Sequence, residues 1–364
     1  MPGLLSDEEL EAYSRQIVLR DIGYGGQLKL KEGTVSLVGL GGLGSPIATQ
    51  LTAMGVGHIR LMDRDVVERS NLQRQHLYGV DSIGYPKVEA AAERLSRLNP
   101  DVDLKLIPLS LGPRSVEIIV KGADVVVDGL DRMSPRYMLN RAAVKAGVPY
   151  VFGAAIEMFG NVSTIIPRIT PCLECFVPGL NDELLPTCAV AGVHPSIIGI
   201  IASIQAAEAV RILLGETPQL AGKLLYCDLR NLTFDSIPVS RVEECAICGQ
   251  NSKAVSQGPQ WQPIEELCSR GGKRSFVVNT DVDLSLDLGK ICRAIREEGH
   301  QVKVESTIGL TFVCKQGFTV SLLKSGVMLV EGAADRSEVT RLYQQLTGKA
   351  IEAGEYQERA SWLA

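Results

Sequence analysis

The spacing of apolar residues changes period along the chain, and each change predicts an element. From Ser6 the pattern Ser-x-x-Glu (Ser6, Glu9) opens an apolar repeat at Leu10, Tyr13 and Ile17, which predicts a capped amphipathic helix with Arg15 on its polar side. Thr34–Val38 is a short β-branched run ending in glycines, and residues 45–53 resume a helical pattern with Pro46 tolerated in the first turn. His58–Met62 reads as a second strand closing on Asp63, Lys87–Leu98 as a helix, and residues 125–127 as a third buried strand ending at Asp128. Alternating strands and helices predict an α/β fold, with a mostly parallel central sheet covered by helices on both faces. Pro195–Leu214 follows as a long helix with Gly215 as its stop, and Lys223–Asp228 as a further strand. The apolar stretch 184–207 is long enough to span a bilayer. Pro186, Pro195, His194 and several glycines interrupt it and Gln205 and Glu208 follow, so it reads as a loop and then a buried helix.

After Gly249 the pattern is lost in a Ser, Gln, Gly and Pro stretch, residues 250–259, of the kind that links domains. The division expected is residues 1–249, a linker at 250–261, and a small α+β module over 262–364. In that module 264–267 reads as a helical turn, 276–279 as a strand, and Leu288, Ile291, Cys292 and Ile295 as a helical stripe. Short strands are expected at 302–304, 310–314, 318–322 and 327–330, with a closing helix on Val339, Leu342, Tyr343 and Leu346.

Composition narrows the class. Of 364 residues 45 % are hydrophobic and 22 % charged, which excludes dominant disorder. Lys plus Arg number 37 against 42 Asp plus Glu, a formal net charge of −5, which argues against nucleic acid as a partner. Residues 1–9 lack a basic segment followed by an apolar one, so a cytoplasmic protein without a membrane partner is expected. In that compartment nine cysteines are ligands, nucleophiles or core residues rather than disulfides.

The first candidate chemistry is the turn Gly39-Leu40-Gly41-Gly42-Leu43-Gly44, which holds G-x-G-x-x-G at Gly39, Gly41 and Gly44 between a strand and a helix. Glycines let the backbone approach a phosphate, and the uncapped N–H groups and dipole of a helix start favour its charge. Asp63 ends the next strand, where it can accept hydrogen bonds from a ribose. Thus far NAD and ATP fit equally. Asp65, Asn71, Arg74 and Gln75 follow, with Lys87 at the start of the next helix; two cations close after a ribose acid suit a triphosphate better than a nicotinamide. Asp131, just past the third strand, lies at the carboxyl edge of the sheet, where a carboxylate can hold Mg²⁺; Asp128 is the alternative ligand. The chain has no Walker glycine-lysine loop, which disfavours a P-loop kinase or ATPase.

The second is the cysteine pattern. Cys172-x-x-Cys175 and Cys245-x-x-Cys248 can supply four thiolates to a tetrahedral structural Zn²⁺, with an iron–sulfur cluster or redox pairs as rivals. Cys188, in a loop with His194 six residues on, has no partner at ligand spacing and is the candidate nucleophile. Cys268 and Arg274 match C-x5-R, the form of a phosphatase loop, but a helical turn before it and a strand after it make it a connecting turn. Cys227, Cys292 and Cys314 sit on apolar stripes and are expected in the core.

Taken in order, these residues resemble the MoeB/ThiF/HesA group of ubiquitin-activating-like adenylyltransferases. The hallmarks are Tyr-Ser-Arg-Gln-Ile from Tyr13, the glycine turn, Asp63-x-Asp65, Ser-Asn-Leu-Gln-Arg-Gln from Ser70, Gly-Tyr-Pro-Lys87, Asp131 with Arg136, Thr187-Cys188 and both C-x-x-C pairs. The match spans about residues 5–249 and leaves the C-terminal module outside it. The resemblance implies a Rossmann-like ThiF fold with a structural zinc, ATP and Mg²⁺ as cofactors, and a homodimer in which Arg15 reaches the neighbouring subunit's triphosphate. It also implies that Asp63 binds the ribose, Arg74 and Lys87 hold phosphates, and Asp131 binds Mg²⁺. The implied partner is a small ubiquitin-like sulfur carrier ending in Gly-Gly, with a sulfur-donor protein as a second. Cys188 would take an acyl group or form a disulfide with the carrier. Leu130-Asp131-Arg132 departs from the group's usual Thr-Asp-Asn, and Arg132 is expected either to contact phosphate or to face solvent. The competing readings are an NAD-dependent oxidoreductase using the same turn, and a non-catalytic scaffold. The module is expected to recruit a carrier or sulfur donor, so that its removal leaves ATP binding intact.

Overall fold

The computed structural model describes residues 4–182, 184–185, 188–249, 261–270, 273–349 and 351. Eight strands form one sheet: β1 (Thr34–Val38), β2 (His58–Met62), β3 (Asp103–Ile107), β4 (Val125–Asp128), β5 (Tyr150–Ile156), β6 (Phe159–Ile165), β7 (Lys223–Asp228) and β8 (Thr233–Pro238). Their order is β3-β2-β1-β4-β5-β6-β7-β8, parallel from β3 to β5 and antiparallel beyond. The chain runs outward from β1 to β2 and β3, then returns to lay β4 on the other side of β1. The reversal makes the carboxyl ends of β1 and β4 the switch point of the sheet, where open α/β sheets bind ligands.

Central strands buried on both faces read as continuous apolar runs, as in Val125, Val126 and Val127. On one face, helices Gly44–Ala53, Lys87–Leu98 and Pro195–Leu214 bury Ile47, Leu51, Leu95 and Ile201 against Leu37, Leu61 and Val127. On the other, Ser115–Val120 and Met133–Ala146 bury Ile119 and Leu139 against Val38, Val126 and Tyr150. Pro195–Leu214, the one helix among the described residues apolar enough to cross a bilayer, packs on β4, β5 and β6. Its buried Gln205 donates to the Asp128 carbonyl at 2.7 Å, and its buried Glu208 accepts from Thr164 Oγ1 at 2.8 Å.

Several elements differ from the pattern reading. The Ser6–Glu9 capping box is present, but the first helix stops at Ala12 and restarts over Ser14–Ile17. Between the two, Tyr13 is buried, its hydroxyl accepting from Asn99 Nδ2 at 2.7 Å. Residues 125–127 belong to the fourth strand in chain order, because β3, an edge strand of alternating charge, precedes them. The helix Gly23–Glu32, with three glycines, carries little amphipathic signal. The linker 250–259 lies outside the described residues, but Trp261, assigned to it, packs on Gly112, leaving no room for a β-carbon there.

The second sheet is antiparallel: β9 (Ile264–Arg270), β10 (Lys273–Val278), β11 (Gln301–Glu305), β12 (Gly309–Val313), β13 (Thr319–Leu323) and β14 (Met328–Glu331), in the order β11-β12-β13-β14-β10-β9. Helices Leu288–Glu297 and Arg336–Thr347 close its core on Phe276, Phe312, Leu322, Val339 and Tyr343. Residues 264–267 are therefore strand, not helical turn. Two adjacent glutamates, poor strand formers, hid it. This sheet docks on the first: Val277, Leu323 and Val327 bury Val66, and Thr311 Oγ1 donates to the Gly84 carbonyl at 2.7 Å.

Candidate nucleotide site and cysteine centre

The glycine turn leaves β1 and enters helix Gly44–Ala53 at the switch point. Its glycines do different work. Gly39 has φ +91°, and a β-carbon there would lie 2.6 Å from the Gly129 carbonyl; one on Gly44 would lie 1.8 Å from the Gly39 carbonyl. At Gly41 the nearest atom is Gln75 Nε2 at 3.7 Å, so this backbone faces open space, while Gly42 backs on Ile198. Close packing at the first and third glycines and open approach at the second are the division the fingerprint requires. Among the described residues no side chain caps this helix start, and Ser45 Oγ and Gln75 Oε1 are buried without a partner, so unmet polar groups lie beside Gly41. Gly129 was missed in the sequence; its β-carbon would meet the Gly39 carbonyl at 2.3 Å.

Asp63 ties the end of β2 to this turn: its Oδ2 accepts from Leu40 N at 2.6 Å and its Oδ1 from Asp65 N at 2.7 Å. Lys87 Nζ donates to Asp65 Oδ2 at 3.0 Å, and Lys87 N to the Asp65 carbonyl at 2.9 Å. Burial pushes the Asp63 carboxyl up, opposed by Lys87 and reinforced by Asp65. Burial would depress the Lys87 ammonium, but Asp65 and Asp63 outweigh it and hold it charged. Asn71 is buried and accepts from Glu68 N at 3.1 Å, shaping the loop. Arg74 is half-buried, donating to the Ser70 carbonyl at 2.9 Å, and Tyr78 from the same segment donates to the Leu40 carbonyl at 2.9 Å. Asp63, Asp65 and Lys87 thus form one network at the glycine turn and Gln75 lies against Gly41, while Asn71 and Arg74 bond within their own segment.

At the end of β4 two aspartates take opposite roles. Asp128 is fully buried; it accepts from Arg136 Nε at 3.2 Å, Tyr150 Oη at 2.5 Å and Leu130 N at 2.8 Å, which removes it as the alternative metal ligand. Arg136 also donates to the carbonyls of Leu130 and Gly153, fixing the turn that carries Asp131. Asp131 itself is exposed. Arg132, whose side chain is 37% exposed, pairs with Glu265 at 2.7 Å and approaches Asp182 at 3.9 Å, carboxylate partners that the sequence did not predict. Arg15 stands exposed on Ser14–Ile17.

The sulfurs of Cys172, Cys175, Cys245 and Cys248 lie within 4.8 Å of one another, so the two pairs meet despite their separation in sequence. Cys188 opens the short helix Cys188–Ala191; its side chain and Thr187 lie outside the described residues. His194 caps the long helix, Nδ1 accepting from Ser196 N at 3.2 Å. Arg274 of the C-x5-R segment pairs with Glu266 at 2.7 Å and stacks over Phe276. Cys227, Cys292 and Cys314 are buried.

Fold and site together define an α/β protein with a nucleotide-type crevice at its switch point and a four-cysteine centre. A model of the ThiF family matches residues 13–247, and the chain belongs to that family. The SAMP-activating enzyme E1 of Haloferax volcanii is 39% identical over 247 residues, covering 68% of this chain and 91% of that protein. The molybdopterin-synthase adenylyltransferase of Escherichia coli is 38% identical over 247 residues, covering 68% and 99%. Among solved structures, E. coli MccB with MccA-N7isoASN superposes with a TM-score of 0.60 at 24% identity, over 69% of this chain and 77% of that one, a likeness of fold.

Proposed function

We propose that the chain adenylates the C-terminal glycine of a small ubiquitin-like sulfur carrier, consuming ATP and releasing pyrophosphate, as the activating step of sulfur transfer in molybdopterin, thiamine or tRNA thiolation. What supports this reading is the Asp63–Asp65–Lys87 network beside an unobstructed Gly41, with Asp131 exposed two residues past Gly129, which packs on Gly39, in a chain related to named adenylyltransferases. Asp63 receives the ribose; Arg74 and Lys87 hold phosphates beside the glycine turn; Asp65, Asn71 and Gln75 set their geometry. The carrier's carboxylate oxygen forms a bond to the α-phosphorus as the bond to pyrophosphate breaks, the electron pair leaving with pyrophosphate. A carboxylate is ionised at neutral pH, so no general base is required. The exposed Asp131 carboxylate offers the hard oxygen ligand that Mg²⁺ takes, and the ion when bound neutralises charge on the polyphosphate. Arg15 serves the partner subunit of a homodimer, Cys188 takes the carrier's acyl group from the adenylate as a thioester while AMP leaves, and a thiolate-bound zinc holds the four-cysteine centre.

Carrier-dependent ATP–pyrophosphate exchange with ubiquitin-fold proteins ending in Gly-Gly tests the reading, and thermal shift separates it from the oxidoreductase. Mg²⁺–ATP should raise the melting temperature and NADH should not; the reverse result, or exchange absent with every such carrier, overturns it. The glycines give a sharper prediction. Gly41→Ala should keep the wild-type melting temperature and lose at least about tenfold in ATP affinity by blocking approach of the backbone to phosphate. Gly44→Ala should fail to fold, since its methyl would overlap a backbone carbonyl. Equal stability of the two variants would contradict the division of labour in the turn.

A further inference from the structure

The second sheet reaches the site through one carboxylate. Glu265, on β9, accepts from Arg132 Nη1 at 2.7 Å, from Arg64 Nη2 at 3.1 Å and from Asn279 Nδ2 at 2.9 Å. Asn279 completes the network: its Oδ1 accepts from Arg64 Nη1 at 2.6 Å and from Ser110 Oγ at 2.7 Å. Arg64 follows β2, Ser110 follows β3 and Arg132 follows β4, so a single Glu–Asn pair binds together three loops at the carboxyl edge of the first sheet. Arg64 stands between Asp63 and Asp65, and Arg132 directly follows Asp131. Burial would raise the Glu265 carboxyl, but Arg64 and Arg132 outweigh it and keep it ionised.

Two guanidiniums in this place are a hazard for a metal–nucleotide site. The other carboxylates whose field acts on Arg64 include Asp65 and Asp131, and among the described residues Arg132 has, besides Glu265, a longer contact to Asp182. Charged hydrogen bonds between an arginine and a carboxylate are among the strong ones, and an arginine deprived of one partner turns to the next within reach. We propose that Glu265 is a positioning residue for adenylation, supplied by the C-terminal module, which occupies Arg64 and Arg132 and thereby keeps Asp131 available to the metal–nucleotide. The inference rests on the adenylation reading above. It departs from the expectation that removing the module leaves ATP binding intact, because removal strips Arg64, Arg132 and Ser110 of their partners at once.

The test uses the full chain and the Mg²⁺ concentration that half-saturates ATP-induced thermal stabilisation, a readout independent of turnover. Glu265→Gln should raise that concentration about tenfold, as expected for competition by a charged hydrogen bond, while binding of metal-free ATP does not weaken. Adding Arg132→Leu in the Glu265→Gln background should return the midpoint toward wild type, which a merely structural role for Glu265 would not produce. Arg132→Leu alone, on a side chain 37% exposed, should fold and lower the midpoint, so the proposal stays testable if Glu265→Gln is unstable. An unchanged midpoint in folded Glu265→Gln, failure of the double variant to recover, or a raised midpoint in Arg132→Leu each overturns the proposal. Absence of Mg²⁺–ATP stabilisation in the wild type would instead overturn the adenylation reading on which it rests.

Discussion

Replacing Asp131 by alanine should lower carrier-driven ATP–pyrophosphate exchange by about 10²- to 10³-fold, the usual loss for one preorganised electrostatic contact, and leave the melting temperature where it was. The side chain is exposed at the carboxyl end of β4, and among the described residues it makes no hydrogen bond or ion pair, so its loss orphans nothing in the fold. Asp128, three residues earlier, should behave in the opposite way. Asp128→Ala leaves Arg136, 7% exposed, without its carboxylate and Tyr150 without its acceptor. Breaking a buried pair in this way costs about 3–5 kcal/mol. Exchange in that variant should fall because the protein unfolds, and it should recover in whatever folded fraction survives at low temperature. Near-normal exchange by Asp131→Ala would remove Asp131 from the reaction, and a stable Asp128→Ala protein would remove the argument that the buried ion pair shapes the turn.

The contrast between the two aspartates also shows what was legible in the sequence. The strand, glycine turn and helix around Gly39–Gly44 were readable because glycines at fixed offsets have few other reasons to follow a β-branched run. The four cysteines were readable because paired spacing is itself a ligand geometry. Asp131 was read as the metal ligand with Asp128 left as the alternative, since the burial of Asp128 by Arg136, Tyr150 and Gly153 is assembled from β5 and from the helix after β4. The role of Arg132 was hidden for the same reason: its partner, Glu265, lies beyond the linker, on a strand whose paired glutamates look unlike a strand. Edge strands β3 and β8 and the glycine-bearing helix Gly23–Glu32 escaped because they bury little, and β5, β6 and the helices Ser115–Val120 and Met133–Ala146 went unpredicted although they are largely buried. Long-range ion pairs leave no periodic trace, and the docking of the second sheet on the site is made largely of such pairs and of single contacts such as Ser306 Oγ to Glu89 at 2.6 Å.

Removing the metal proposed for the cysteine centre should have the largest effect on stability. Thiolates held tetrahedrally at about 2.3 Å from zinc sit about 3.8 Å apart. Here Cys172 lies 3.7 Å from Cys245 and 4.0 Å from Cys175, with Cys175 3.3 Å from Cys248, so the donor set fits such an ion with little adjustment. All four positions are filled by protein, which leaves none open for chemistry and makes the centre a staple. It fastens helix Leu173–Phe176 to the segment that leaves β8 toward the second sheet. The first half is anchored by Leu173 N donating to Asn140 Oδ1 at 3.0 Å and by Arg141 paired with Glu174 at 2.8 Å. The second half needs Gly249, where a β-carbon would meet the Glu243 carbonyl at 2.4 Å. Structural zinc binding is worth about 10–16 kcal/mol in small finger peptides, and losing even ~4 kcal/mol of it lowers the melting temperature of a domain of this size by roughly 10 °C. Cys172→Ala, or prolonged chelation, should therefore reduce zinc from about one ion per chain to none, by elemental analysis, and lower the melting temperature by at least that amount. Mg²⁺–ATP should still stabilise whatever remains folded, since the network at the glycine turn draws none of its residues from the centre. Iron with a visible charge-transfer band in place of zinc, or a Cys172→Ala protein as stable as wild type, would overturn the assignment.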